Sequence, residues 1–315
     1  MPGAWQTAEV TTQSLAQPGV ARPPTRDVGI LVIALLAVST SGPLIAACAA
    51  PALAIAFWRN AMASAVLLPV VLTRNRDELR GLDRRERKLA LLAGLLLALH
   101  FATWIPALSY TSVASATALV ATQPVWSALL DRARGRAVPK RVWLGIAVSM
   151  AGALLLTGAD LQVSGEALLG DGLAVLGGIF AAGYMVAGSE VRRSVSTTTY
   201  TALCYSTTAL LLLVVCLVGG QALSGYADVD WVKLIALTAG AQLLGHSLFN
   251  VVLRTTSPTV VSMSILFEIP GAAIIAALFV AGQHVPLLAI PAAVLLVTGL
   301  ALVIRTASTP SVPVE

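Results

Sequence analysis

The sequence predicts an all-α polytopic membrane protein with ten transmembrane helices, arranged as two inverted five-helix repeats. Three observations lead there: too few charges to coat a soluble globule, apolar runs long enough to cross a bilayer, and a weak internal repeat separated by five such runs. Charged residues make up 11% of the 315-residue chain, hydrophobic residues 57%, and mean hydropathy is +0.85. A soluble domain carries about 25% charged residues because its surface must face water. A chain this poor in charge needs lipid as its solvent.

Residues 1–27 carry Pro2, Pro18, Pro23 and Pro24 among polar residues without apolar period, which predicts a disordered cytoplasmic tail. The small residues Ala46 to Ala50 resemble a signal-peptidase site, but the apolar run before them is too long for a signal peptide, so no cleavage is expected. Ten runs follow, at 28–47, 51–72, 89–108, 112–130, 142–158, 171–189, 198–218, 231–253, 257–279 and 285–304. Each approaches the ~20 residues that span a hydrocarbon core. Their apolar content is continuous rather than alternating, so they read as helices and not as barrel strands. The first repeat covers 28–158, the second 171–305, and 306–315 forms a short cytoplasmic tail.

Lysine and arginine set the orientation. With the N-terminus inside, the inner segments collect Arg22 and Arg26, the run from Arg74 to Lys88, the run from Arg132 to Arg141, and Arg192, Arg193, Arg254 and Arg305. Lys233 alone falls outside, and Arg59 lies within a span. The outer segments carry Asp160, Glu166, Asp171, Asp228 and Asp230. Both termini are therefore expected in the cytoplasm of a cell (plasma or inner) membrane. The net charge of +5 is a topology signal and not a nucleic-acid footprint, because the basic residues form loop clusters without interleaved aromatics.

Laying His100 on His246 brings Thr111 onto Ser257, Ser112 onto Pro258 and Pro124 onto Pro270. Five spans separate the copies, so the second must be inverted. Inverted repeats with a site near the midplane are typical of secondary transporters.

The run Phe57-Trp58-Arg59-Asn60, then Trp104, the stretch from Thr111 through Gln123-Pro124, Gly245 to Asn250, and Glu268-Ile269-Pro270 resemble the drug/metabolite transporter superfamily, in particular its EamA-type ten-span members. The resemblance covers about residues 28 to 305. It implies export or exchange of metabolites, amino acids, amines or drugs, through a cavity lined by spans 1–4 and 6–9 with spans 5 and 10 as supports. The chain has Gly282-Gln283 where family members often have Gly-Glu, so that glutamate's role does not transfer.

Ionisable groups at membrane depth cost roughly 2.5–3.5 kcal/mol on insertion scales and mark functional sites. Arg59 and Glu268 are the two full charges well inside spans. At 1.5 Å per residue Arg59 lies about 12 Å below the outer edge and Glu268 about 16 Å above the inner edge. In a ~30 Å core their depths nearly coincide, which allows either a fixed ion pair or a charged cavity for substrate or proton. Thr238, Gln242, His246 and Asn250 repeat every four residues along one face of span 8, and His100 with Trp104 repeats that spacing in span 3. These stripes must face protein or water. Asn60 neighbours Arg59, and Gln123 lies deep in span 4, where Thr111, Ser115 and Thr122 share a face. Tyr184 and Tyr205 either line the same space or sit at the interface, the commoner place for tyrosine. The substrate-site candidates are thus Arg59, Asn60, His100, Trp104, Gln123, Tyr184, Gln242, His246, Asn250 and Glu268.

Gly145, Ser149 and Ala153 form a small-residue face for close packing, within the chain or in a homodimer. Ser41-Gly42-Pro43 should weaken the outer end of span 1, as a hinge or as a broken helix. Cys48, Cys204 and Cys216 show no metal or redox spacing, and no metal or cofactor is expected. An intramembrane hydrolase using His100 or His246 is the second reading and a purely structural membrane protein the third. No nucleophile elbow, zinc helix or phosphate loop supports catalysis or ATP-driven transport. One buried cation suits a zwitterion, amine or neutral metabolite better than a di-anion. The expected partners are that small-molecule substrate and the lipid bilayer.

Overall fold

The computed structural model describes residues 23–111, 113–157, 165–279 and 287–306, and among them it contains helices and no strand. The first crossing is α1 (Thr25–Val38) followed by α2 (Ser41–Ala47). The break falls at Ser39 and Thr40, whose hydroxyls donate back to the carbonyls of Leu35 and Ala37 at 2.7 Å each. Pro43, lacking an N–H, cannot carry the ladder across this point. Helix α1 starts three residues before position 28, because Asp27 in its first turn is buried and accepts hydrogen bonds from Thr255 and Thr256. The tail expected over 1–27 is corrected there. Its first 22 residues lie outside the described residues, as do 307–315 and Gly282-Gln283.

Helix α3 (Ala52–Arg74) crosses back, α4 (Arg76–Gly81) lies in the basic segment, and α5 (Arg84–Ala107) starts with a reciprocal Asp83–Glu86 capping box. Span 4 is two pieces, α6 (Val113–Val120) and α7 (Gln123–Ala133), and α8 (Lys140–Thr157) follows. In the second half come α9 (Gly165–Val191), α10 (Thr197–Val218), and α11 (Asp228–Leu237). The last runs through a π-helical stretch, Thr238–His246, into α12 (Ser247–Val252). Helices α13 (Pro258–Ile265), α14 (Glu268–Phe279) and α15 (Ala289–Thr306) complete the fold. Helix α9 starts before residue 171, so the second repeat is longer at its start than expected.

Among the described residues, eight segments are long and apolar enough to cross a membrane. The two further runs, 112–130 and 142–158, correspond to the α6–α7 pair and to α8. Proline explains the split in span 4, since Pro124 removes a ladder donor just after the break at Ala121 and Thr122. Pro270 follows the break at Leu266 and Phe267 in span 9 in the same way. The two prolines are those that the internal alignment superposes.

Packing is mirrored between the halves. Helix α5 packs on α9 as α1 packs on the π-helical stretch and α12, α3 packs on α10, and α8 on α15. Asp27 at the start of α1 accepts from Thr255 and Thr256, and Asp171 in the first turns of α9 accepts from Thr111 at 2.8 Å. The small-residue face of α8 is occupied within the chain: a Cβ on Gly145 would lie 2.6 Å from the Gly299 carbonyl, and the Ser149 hydroxyl donates to Leu296 O at 3.3 Å. The small-residue face of α8 thus serves close packing against α15 within the chain.

Candidate functional site

Helix α3 carries Ala54, Ala56 and Ala63 fully buried, and these small side chains let it approach its neighbours closely. Arg59 and Asn60 share that buried stretch, at 1% and 0% exposure. Arg59 Nε donates to Gln242 Oε1 at 2.8 Å, and Gln242 Nε2 donates in turn to Asn60 Oδ1 at 3.2 Å. The guanidinium also reaches the Ser41 hydroxyl at 3.4 Å and lies over the Phe101 ring at 4.6 Å. A neutral amide, a hydroxyl and a ring face thus hold a cation at depth.

The π-helical stretch positions the partners. A π-turn often marks a functional site because it re-aims side chains along the helix. Here it turns Gln242 toward Arg59 while Gly245 admits α1, whose Val38 nitrogen would meet a Cβ there at 3.2 Å. The His246 ring faces Phe101 edge-on at 6.0 Å. His100 donates from Nδ1 to the Gly177 carbonyl at 2.9 Å and stacks on Trp104 at 5.9 Å with 4° between planes.

His100, Trp104, His246 and Glu268 all keep accessible surface although they sit deep in their helices. Three buried polar atoms beside them have no hydrogen-bond partner: Arg59 Nη2, Trp104 Nε1 and His246 Nδ1. An orphaned buried polar atom costs about 1–3 kcal/mol, so such groups are rare unless a ligand or water satisfies them. Glu268 opens α14 directly after the break. Among the described residues no hydrogen bond or ion pair within 4.0 Å holds its carboxylate, yet Arg59 is close enough to act on it electrostatically. Of the two arrangements their depths allowed, no direct Arg59–Glu268 ion pair is present among the described residues: the contacts of Arg59 are Gln242, Ser41 and Phe101.

The other candidates separate. Gln123 Nε2 donates to the Ser262 hydroxyl at 3.1 Å, in a contact between α7 and α13. Tyr184 and Asn250 bond each other at 2.7–3.0 Å, and the Asn250 carbonyl accepts from Arg192 Nε at 2.9 Å. Tyr184 and Tyr205 are fully buried within the protein. Thr111 bonds Asp171, Thr122 accepts from Trp126 Nε1 at 3.0 Å, and the side chain of Ser115 lies outside the described residues. Sequence reasoning missed Ser41 and Phe101. A lone phenylalanine in an apolar run carries no signal beyond its place next to His100.

At the arginine-rich face, Glu190 at the end of α9 gathers Arg134, Arg136 at 2.6 Å, Arg193 at 3.6 Å and Arg85 at 3.7 Å. Buried Asp131 takes Arg136 at 3.1 Å and Thr259 at 3.1 Å. Glu78 accepts from Ser196 N, Ser196 Oγ and Thr199 Oγ1.

Comparison with known proteins fits this architecture. The model of the EamA-like transporter family matches twice, over residues 27–158 and 168–305. An uncharacterized transporter of Archaeoglobus fulgidus is 29% identical over 174 residues, which is 53% of this chain and 58% of that protein. The chain thus spans less than two thirds of that relative's length. A solved crystal structure shares the fold at TM-score 0.74, covering 90% of this chain and 97% of its own at 19% identity. With both halves matched, this multi-pass membrane protein belongs to the EamA-like transporter family.

Proposed function

We propose that the chain is a secondary transporter that moves small organic metabolites such as amino acids or amines across the cell membrane by alternating access. In this reading ten segments cross the membrane, the arginine-rich face is cytoplasmic, and the second repeat is inverted relative to the first. The observation that carries it is that Arg59 Nη2, Trp104 Nε1 and His246 Nδ1 are buried without a partner, on side chains connected through the Phe101 and His100 rings. A structural protein would be selected to satisfy those atoms internally. Arg59 and the indole and imidazole nitrogens suit an anionic or hydrogen-bonding group of the substrate. Glu268, without a direct partner among the described residues, suits a cationic group or a proton.

The test is counterflow in proteoliposomes with a panel of amino acids and amines, comparing the parent with Glu268→Gln. That substitution keeps shape and hydrogen bonding but removes charge. The expected result is a folded protein whose exchange is lost or whose pH dependence is altered. Normal exchange at all pH values by Glu268→Gln would remove Glu268 from the site, and no exchange by the parent with any compound would remove the substrate class.

A further inference from the structure

Span 1 is jointed beside Arg59. Ser39 and Thr40 turn their hydroxyls back onto the carbonyls of Leu35 and Ala37 at 2.7 Å each, which loosens the helix there, and Pro43 brings no donor to renew the ladder. The first crossing of the second repeat, α9, runs unbroken from Gly165 to Val191, so the joint belongs to this segment and not to the repeat. Glycines flank it. A Cβ on Gly271, three residues past Glu268 in α14, would overlap the Ser39 hydroxyl, and one on Gly240 of the π-helical stretch would lie 3.5 Å from Thr40 Oγ1. Irregular backbone at membrane depth is tolerated where it is buried in protein or lines a water-filled cavity. Three such places meet here: the joint, the π-helical stretch and the break before α14.

Beyond the joint, α2 runs toward the face opposite the arginines, packed on both α11 and α14. At the joint end, the Ser41 hydroxyl accepts from Arg59 Nη1 at 3.4 Å, and Ser41 is 2% exposed. At the other end the helix is clamped to α11. Lys233 Nζ donates to the Ala47 carbonyl, an orphan of the last turn, and Asp230 accepts from Ala49 N at 3.2 Å and from Lys233 at 2.9 Å. The Cys48 thiol lies beside the same carboxylate. Helix α2 carries no charged side chain, so the clamp is one ion pair of α11 closing on backbone.

We propose that α2 is a hinged lid over the central site, turning at Ser39 and Thr40 and latched by the Asp230–Lys233 pair on the side opposite the arginines. The inference rests on the transport reading of the central site. Swinging the lid breaks the latch and uncovers Ile45, which is buried at 7% exposure, so the resting protein keeps it shut. Shut, it sets Ser41 on Arg59 Nη1 while Nη2 stays empty. An anionic group that spans both nitrogens competes with Ser41 for the guanidinium and so favours the swung helix. The lid thereby couples occupancy of the site to its opening on this side.

The test uses the full chain in proteoliposomes and its native Cys48. Asp230→Cys places a second thiol beside it, and Cys204 and Cys216, both 0% exposed, stay as they are. Copper phenanthroline should join the two thiols, read by mass as a linked peptide. Linkage should lower counterflow by at least about tenfold until a reductant restores it, with the parent unaffected by the same treatment. A linked protein that exchanges at its reduced rate overturns the lid, and failure to link overturns the clamp of α2 on α11. A second arm needs no substrate. In a Cys48→Ala chain, Ile45→Cys is labelled with an impermeant maleimide from the face opposite the arginines, and the labelled peptide is identified by mass. Adding Asp230→Asn and Lys233→Gln should raise labelling by about tenfold, and unchanged labelling in a variant that elutes like the parent overturns the latch. Raised labelling in a protein that exchanges none of the tested compounds supports the lid and rejects only the substrate class.

Discussion

The two places where charge accumulates in this protein are built on opposite terms. At the arginine-rich face three acids are matched: half-buried Glu190 by Arg85 of α5, by Arg134 and Arg136 just after α7 and by Arg193 just past its own helix, buried Asp131 by Arg136 and Thr259, and buried Asp27 by two threonines. In the centre Arg59 is as buried, yet it is held by neutral groups and leaves one nitrogen empty, with Glu268 nearby but not bonded. The first arrangement ties the two halves of the chain together. The second stores unsatisfied polarity, which stability alone does not favour and a passing solute can use.

Substitutions ordered by their effect on stability test that contrast. Glu190→Gln should be the most damaging, because it strips Arg134 of its counter-charge and leaves Arg136 with Asp131 alone. Charged hydrogen bonds of this kind are worth roughly 2–3 kcal/mol in all, and thermal unfolding in detergent should show the loss. Arg59→Met should do less. Removing an incompletely paired ion in favour of an apolar side chain is often neutral, so a change within about 1–2 kcal/mol is expected, together with loss of exchange. Equal destabilisation by both changes would erase the distinction between a stabilising end and a functional centre.

The smallest effect is set by pH. Burial works to raise the Glu78 carboxyl, but hydrogen bonds from Ser196, Thr199 and Asn75 outweigh it and hold the group below its ordinary value of 4.5. A carboxyl lowered on folding stabilises above the unfolded value, and that stability is lost as pH falls through the folded one. Melting temperature should therefore drop on acidification below pH 4.5, and Glu78→Gln should flatten that part of the curve. An unchanged acid limb in Glu78→Gln would assign the slope to other carboxylates.

Much of the architecture is legible in the chain itself, because it depends on local chemistry. Runs of apolar residues must be helices in lipid, whatever they pack against. Pro43, Pro124 and Pro270 interrupt their helices by removing a donor, and the breaks fall beside them. Family membership follows from the same residues. The helical stripe of Gln242, His246 and Asn250 was also visible, but not its division: Gln242 and His246 turn to Arg59 and Phe101, whereas Asn250 closes on Tyr184. Rise per residue gives depth along a helix and says nothing about lateral position or azimuth. Arg59 and Glu268 at similar depth could therefore be a pair or two sides of a cavity, and only the packing of α3 with α2, α5 and the π-helical stretch put Ser41, Phe101 and Gln242 around the guanidinium. The polar seam between α7 and α13 was hidden for the same reason: Gln123, Ser127 and Asp131 lie over a hundred residues from Ser262 and Thr259, and hydrogen bonds between such distant segments exist only once the helices cross.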